Sequence, residues 1–104
     1  MFVICKNKTI DLSKFETVRY RESLMGSEYG YPVEAIRHES GFLGVTTVTE
    51  EIARLKYEMG ASALVTSITN AMIAKKDVFY VEEWKNQKEE KKEEENNNED
   101  KSIS

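Results

Sequence analysis

Residues 47–76 read TVTEEIARLKYEMGASALVTSITNAMIAKK, and the fold turns on how this stretch is divided. Thr47-Val48-Thr49-Glu50 has the spacing of a capping box, in which a hydroxyl accepts from a free amide and Glu reaches back. Beyond it Ile52, Leu55, Met59 and Ala63 recur at three- and four-residue steps, as on one face of a helix. Leu64, Ile68 and Met72 continue at four-residue steps on a slightly rotated line, and Gly60 stands between the two series. One helix from about Glu50 to Lys75 carries its glycine at a cost of about 1 kcal/mol against alanine. The alternative is two shorter helices meeting at Gly60. The spacing favours the single helix, with Leu55, Met59 and Ile68 predicted to face the core. Lys75-Lys76 suits its end, where cations meet the negative pole of the helix dipole.

Working outward, the residues before this stretch read as strands. Phe2–Cys5 and Ile10-Asp11-Leu12 flank a polar tetrapeptide and predict a hairpin. Phe15–Arg21 alternates in polarity, with Glu16, Val18 and Tyr20 on one side, as in a half-buried strand. Met25–Pro32 contains two glycines and the only proline, which predicts a loop. Val33–Glu39 is the next strand, Ser40-Gly41 the turn, and Phe42–Val48 a fourth strand. Short turns between close strands favour an antiparallel meander. After the helix, Val78–Val81 forms a last strand and Trp84 closes the edge of the core. The predicted fold class is α+β, a four-stranded, mostly antiparallel meander covered by one long helix and followed by a short C-terminal strand (β-β-β-β-α-β).

Composition sets the limits of the folding unit. The chain has 104 residues, enough for one domain. From Asn86 onward the only aliphatic residue is Ile103. Such a segment buries too little apolar surface to offset its ordering entropy. The sequence therefore predicts a single α+β domain over residues 1–85 and a disordered charged tail over 86–104. Residues 1–85 hold eleven Lys and Arg against twelve Asp and Glu, and the tail four against seven, which together give the net charge of −4. A nearly neutral folded part argues against nonspecific nucleic-acid binding, which needs a concentrated basic surface. One cysteine allows no internal disulfide. No apolar run approaches the roughly 18 residues of a membrane span, so the expectation is a cytoplasmic protein.

Candidate chemistry is sparse. Cys5 and His38 alone cannot supply the three or four nitrogen and sulfur ligands of a zinc site, and no EF-hand spacing of carboxylates occurs. Cys5 lies in an apolar strand, where it packs as a small hydrophobe. Glu50-Glu51 and Glu82-Glu83 are adjacent pairs that do not face each other on a helix or share a face of a strand. Neither Gly-x-Ser-x-Gly nor a phosphate-binding glycine loop is present. The sequence predicts no catalytic residues, no metal and no cofactor. Recognition chemistry is better represented. Tyr29 and Tyr31 sit in the glycine- and serine-containing loop, a composition that binding loops use for rigid contact area. Arg19, Arg21 and Arg37 lie on the strands flanking it and complete a guanidinium-plus-aromatic patch suited to a phosphate, a nucleotide or an acidic protein surface.

The opening MFVICKNKTIDLSKFETVRY (residues 1–20) and the ending VTEEIARLKYEMG…KKDVFYVEEW (residues 48–60 and 75–84) resemble small accessory proteins of low-GC Gram-positive bacteria and their phages. The resemblance rests on layout and composition across most of residues 1–85. It implies a non-enzymatic interaction protein, an inhibitor that binds a host or defence protein. The alternative is a small-ligand binder that sequesters a nucleotide-like anion through the Arg/Tyr surface or a dimer cleft. Partners expected on this reading are a protein first, a phosphorylated small molecule second, and a further copy of the chain, since a small domain gains stability by self-association.

Overall fold

The computed structural model describes residues 1–88. Its strands are β1 (Phe2–Ile4), β2 (Thr9–Asp11), β3 (Thr17–Tyr20), β4 (Tyr31–Gly41), β5 (Gly44–Leu55) and β6 (Val78–Tyr80), and its long helix is α1 (Glu58–Ile73). A second helical segment, α2, occupies residues 81–88. The fold is α+β as predicted, but the strands form two three-stranded sheets rather than one four-stranded meander. The first sheet has the order β2-β1-β6, with β1 antiparallel to β2 and parallel to β6. The second is the antiparallel β3-β4-β5.

The hairpin β1–β2 leaves the second sheet because the chain turns sharply after it. A single 3-10 turn, Leu12–Lys14, follows β2, and the Asp11 carboxylate accepts from both the amide and the hydroxyl of Ser13. These bonds hold the Asp11 carboxyl below its usual range, the Ser13 hydroxyl contributing most. Leu12 stays buried while the chain changes direction. The vacant edge of β1 is then taken by β6, and the Phe2 amide donates to Asp77 O to begin that parallel pairing.

The predicted helix start is corrected. Thr47–Glu50 is not a capping box, because β5 runs on to Leu55. Five consecutive β-branched residues, Val45–Thr49, favour the pleated conformation, and β4 supplies a hydrogen-bonding partner along the whole length. The spacing of Ile52, Leu55 and Met59 that resembled a helical stripe has another origin. Ile52 and Ala53 both reach the core because the register shifts opposite Val33 and Glu34, and such a bulge turns two successive side chains inward. Helix α1 begins only at Glu58, after Tyr57, which caps it with no side-chain bond. Its buried stripe is Ala61, Leu64, Ile68 and Ala71. Ile68 faces the core as expected, Leu55 packs against it from β5, and Met59 points into solvent at 86% exposure. Gly60 falls inside the first turn, so neither a bend nor a second helix is needed there.

Helix α1 ends in a Schellman arrangement. The Lys75 amide donates to Met72 O and the Lys76 amide to Ala71 O, with Lys75 at φ 57°. Val81 and Trp84, from the start of α2, then pack on the core, and the Trp84 indole N–H donates to Ser67 Oγ at 2.9 Å. The tail predicted from Asn86 is helical over residues 86–88, and the remainder lies outside the described residues.

Candidate interaction surface

Strands β4 and β5 are 11 and 12 residues long, whereas β3 pairs with β4 only over Val33–Ile36. From Arg37 outward the second sheet is therefore a two-stranded ribbon, and residues 38–47 are exposed throughout. At about 3.4 Å per residue this arm projects roughly 17 Å beyond the end of β3. Its tip is the pair Phe42-Leu43, at 104% and 99% exposure. Neither takes a left-handed φ, and Gly44, at φ 120°, supplies the conformation that rejoins the turn to the twist of the strands. A tight turn normally carries polar residues. Two fully exposed large hydrophobes at the end of a projection have no role in holding this fold together.

The root of the arm is braced. Glu16, just before β3, accepts from the His38 amide and meets His38 Nδ1 at 2.8 Å. These hydrogen bonds, the ring contact first, hold the Glu16 carboxyl below its usual range. On the inner face Arg37 lies over the Phe15 ring, 5.4 Å from its centroid, and bonds Glu39 at 3.0 Å. Lys8, in the β1–β2 turn, reaches Glu50 of β5 at 2.9 Å and ties the two sheets together.

The five residues expected to form an Arg/Tyr patch are dispersed by strand alternation. Arg19 and Arg21 lie on the outer face of the second sheet, Arg19 directly across from Glu34 and Arg21 bonded to it. Arg21 Nε donates to Glu34 Oε1 at 2.8 Å, so its charge is compensated by a carboxylate with 6% side-chain exposure. Arg37 and Tyr31 belong to the opposite, inner face, where Tyr31 packs against the core. Tyr29 is half exposed on a short 3-10 turn, Ser27–Tyr29. That turn is at the start of β4, roughly 34 Å along the strand from the arm's tip. Tyr31 lines a shallow cavity of about 370 Å³ with Ser27, Glu28, Lys56, Tyr57 and Glu58, in which two carboxylates outnumber the one cation. The structure thus brings Arg19 and Arg21 together, and it joins neither of them to Arg37 or to the Tyr31 cavity.

A cleft of about 510 Å³ lies between α1, β6 and α2 and presents Asn70, Lys76, Tyr80, Glu83 and Trp84. Its single cation is matched by a single carboxylate, which leaves no excess charge for a phosphate. Among the described residues no group of three or more His, Cys, Asp or Glu is placed to hold a metal ion. Cys5 is half-buried, and burial pushes its thiol up, away from the reactive thiolate form. No helix among the described residues is long and apolar enough to cross a membrane. Sequence reasoning placed Phe42 in a strand and missed the arm, whose length depends on where β3 stops. The signal within reach was Phe42-Leu43 between two glycines, an apolar pair where a turn was due.

Comparison with protein-family models, with curated proteins and with solved structures returned no match.

Proposed function

We propose that this chain is a non-enzymatic interaction protein that docks on a folded protein partner through the tip of the β4–β5 arm. The observation that carries the reading is the full exposure of Phe42 and Leu43 at the end of a braced projection. Burying each in a partner's apolar pocket is worth about 1.5–3 kcal/mol, and such central anchors dominate the energy of an interface. The bracing contacts at the root limit the ordering cost of binding. The resemblance to accessory proteins of bacteria and phages adds inhibition of that partner, by occlusion of the surface the tip enters.

The test begins with affinity capture from extracts of the cells in which the chain occurs. Calorimetry with the captured protein, once purified, then compares wild type with the double variant Phe42→Ser, Leu43→Ser. The reading expects the variant to fold normally and to bind about 30-fold or more weaker, equivalent to about 2 kcal/mol. Tyr29→Ala, far from the tip, leaves affinity unchanged. If the tip variant binds as well as wild type, the arm is not the docking element. If Tyr29→Ala alone abolishes binding, recognition belongs to the tyrosine loop.

A further inference from the structure

The arm's outer strand has an unused hydrogen-bonding edge. Strand β5 pairs with β4 on one side, and among the described residues no strand lies on its other side. In an antiparallel ladder alternate residues direct their N–H and C=O groups to opposite sides. On β4, Pro32 and Ile36 present their carbonyls to the β3 side, to the amides of Arg21 and Glu16. The odd-numbered positions from Ala35 to Gly41 therefore face β5, and their partners are the even-numbered Glu50, Val48, Thr46 and Gly44. Val45, Thr47 and Thr49 are left directing both backbone groups outward from the sheet.

Natural proteins guard such an edge with charge, proline, a bulge or brevity. None of these protects Phe42–Thr49. It contains no charged residue and no proline, and the only register shift lies back in the body, opposite Val33 and Glu34. Moreover, the ribbon beyond Ile36 has two strands and water on both faces, and two-stranded ribbons are marginal alone. An added strand supplies what the arm lacks.

We propose that a second copy of this chain supplies that strand, the two β5 edges pairing antiparallel about a two-fold axis through Thr47. An isologous contact requires a surface complementary to itself, and this edge meets the requirement. A two-fold axis normal to the sheet pairs residues of equal parity. Centred on Thr47, it sets Thr47 opposite its own copy, Val45 opposite Thr49, and Thr46 opposite Val48. Pairs of β-branched residues are favourable across strands. Glu50 meets Gly44 and Glu51 meets Leu43 of the second copy, so no two carboxylates face each other. The three outward-directed pairs exchange about six backbone hydrogen bonds. The second sheet becomes one continuous six-stranded sheet, with the two apolar tips at opposite ends of its four-stranded middle. This pairing rests on the backbone edge of Val45–Thr49, whereas docking rests on the side chains of the tip.

Sedimentation velocity of the full chain, from dilute solution to the millimolar range, tests the proposal with two variants. Thr47→Lys places like charges directly opposite each other across the axis. Thr47→Pro removes an outward-directed amide and leaves the bonds to β4 intact. Wild type is expected to shift with concentration from 12.0 kDa to twice that mass. Thr47→Lys is expected to raise the dimer Kd about tenfold or more, with an unchanged circular dichroism spectrum at low concentration, and Thr47→Pro to stay monomeric. Tyr29→Ala, before the start of β4 and remote from this edge, keeps the wild-type dimer Kd, while loss of docking by the tip is read separately by calorimetry with the docking partner. A wild type that stays monomeric throughout would overturn the proposal. A dimer whose Kd is unmoved by Thr47→Lys would do the same.

Discussion

Lys75 is the only non-glycine residue among those described with a positive φ, at 57°. It occupies the position after the helix cap where glycine is the usual choice, because a Cβ there strains the left-handed conformation. Its carbonyl-seeking neighbours are satisfied, since the amides of residues 75 and 76 reach back to Met72 and Ala71. The strain is therefore local, and the side chain is exposed. Lys75→Gly should raise the unfolding free energy by about 0.5–1 kcal/mol, measured by chemical denaturation. A loss of stability would mean that the lysine side chain contributes more than its backbone costs. Gly30 is the converse case. At φ 86°, a Cβ built on it would lie 2.7 Å from the carbonyl oxygen of Leu55, so the loop can close against β5 only with glycine here. The sequence showed this glycine as loop punctuation; its close approach to β5 depends on a strand end that was placed in a helix.

Legibility differs sharply among the elements. The hairpin β1–β2, the strands β3 and β4, the loop between them and β6 all follow from alternation and turn residues. These signals are local. The boundary between β5 and α1 was not legible, because Ile52, Leu55 and Met59 fit a helical period while two of them serve the core from a bulged strand. Propensity alone, through Val45–Thr49, pointed to the strand. The helix itself was recognisable from Leu64 and Ile68 onward. Its orientation yields a paired expectation. Ile68 is fully buried, so Ile68→Ala should cost about 2–5 kcal/mol. Met59→Ala should change stability by less than about 0.5 kcal/mol, although the sequence reads both as facing the core. Thermal and urea denaturation of the two variants checks the difference, and equal costs would place Met59 in contact with an element outside those described. The binding patch failed for the same kind of reason: Arg21 and Arg37 flank the same loop but fall on opposite faces of one sheet.

At the scale of the whole molecule, two small sheets share one core through few devices. Val3, Ile10 and Val81 come from the first sheet or its flank, Val33, Ala35 and Ile52 from the second, and Leu64 and Ile68 from the helix between. Trp84 closes one side and bonds Ser67 of α1. Trp84→Ala should therefore loosen more than a local contact, lowering the unfolding free energy by about 2–4 kcal/mol, somewhat less than a fully buried Trp. Trp84→Phe should retain most of the packing and lose the hydrogen bond to Ser67. Similar, small losses for both variants would confine Trp84 to the surface.

The parallel pairing of β1 with β6 also fixes an order of events in synthesis. Strand β1 leaves the ribosome before the other strands described, yet its second partner is residues 78–80. Until these emerge, the hairpin β1–β2 offers one bare edge, and the buried face of Val3 has no Val81 beside it. Contacts that span nearly the whole domain form late. Cotranslational folding can assemble β3, β4 and β5 while the N-terminal hairpin waits. Residues 78–84 then add β6 to the bare edge of β1 and bring Val81 and Trp84 onto the core, ending the exposure of a hairpin made some seventy residues earlier.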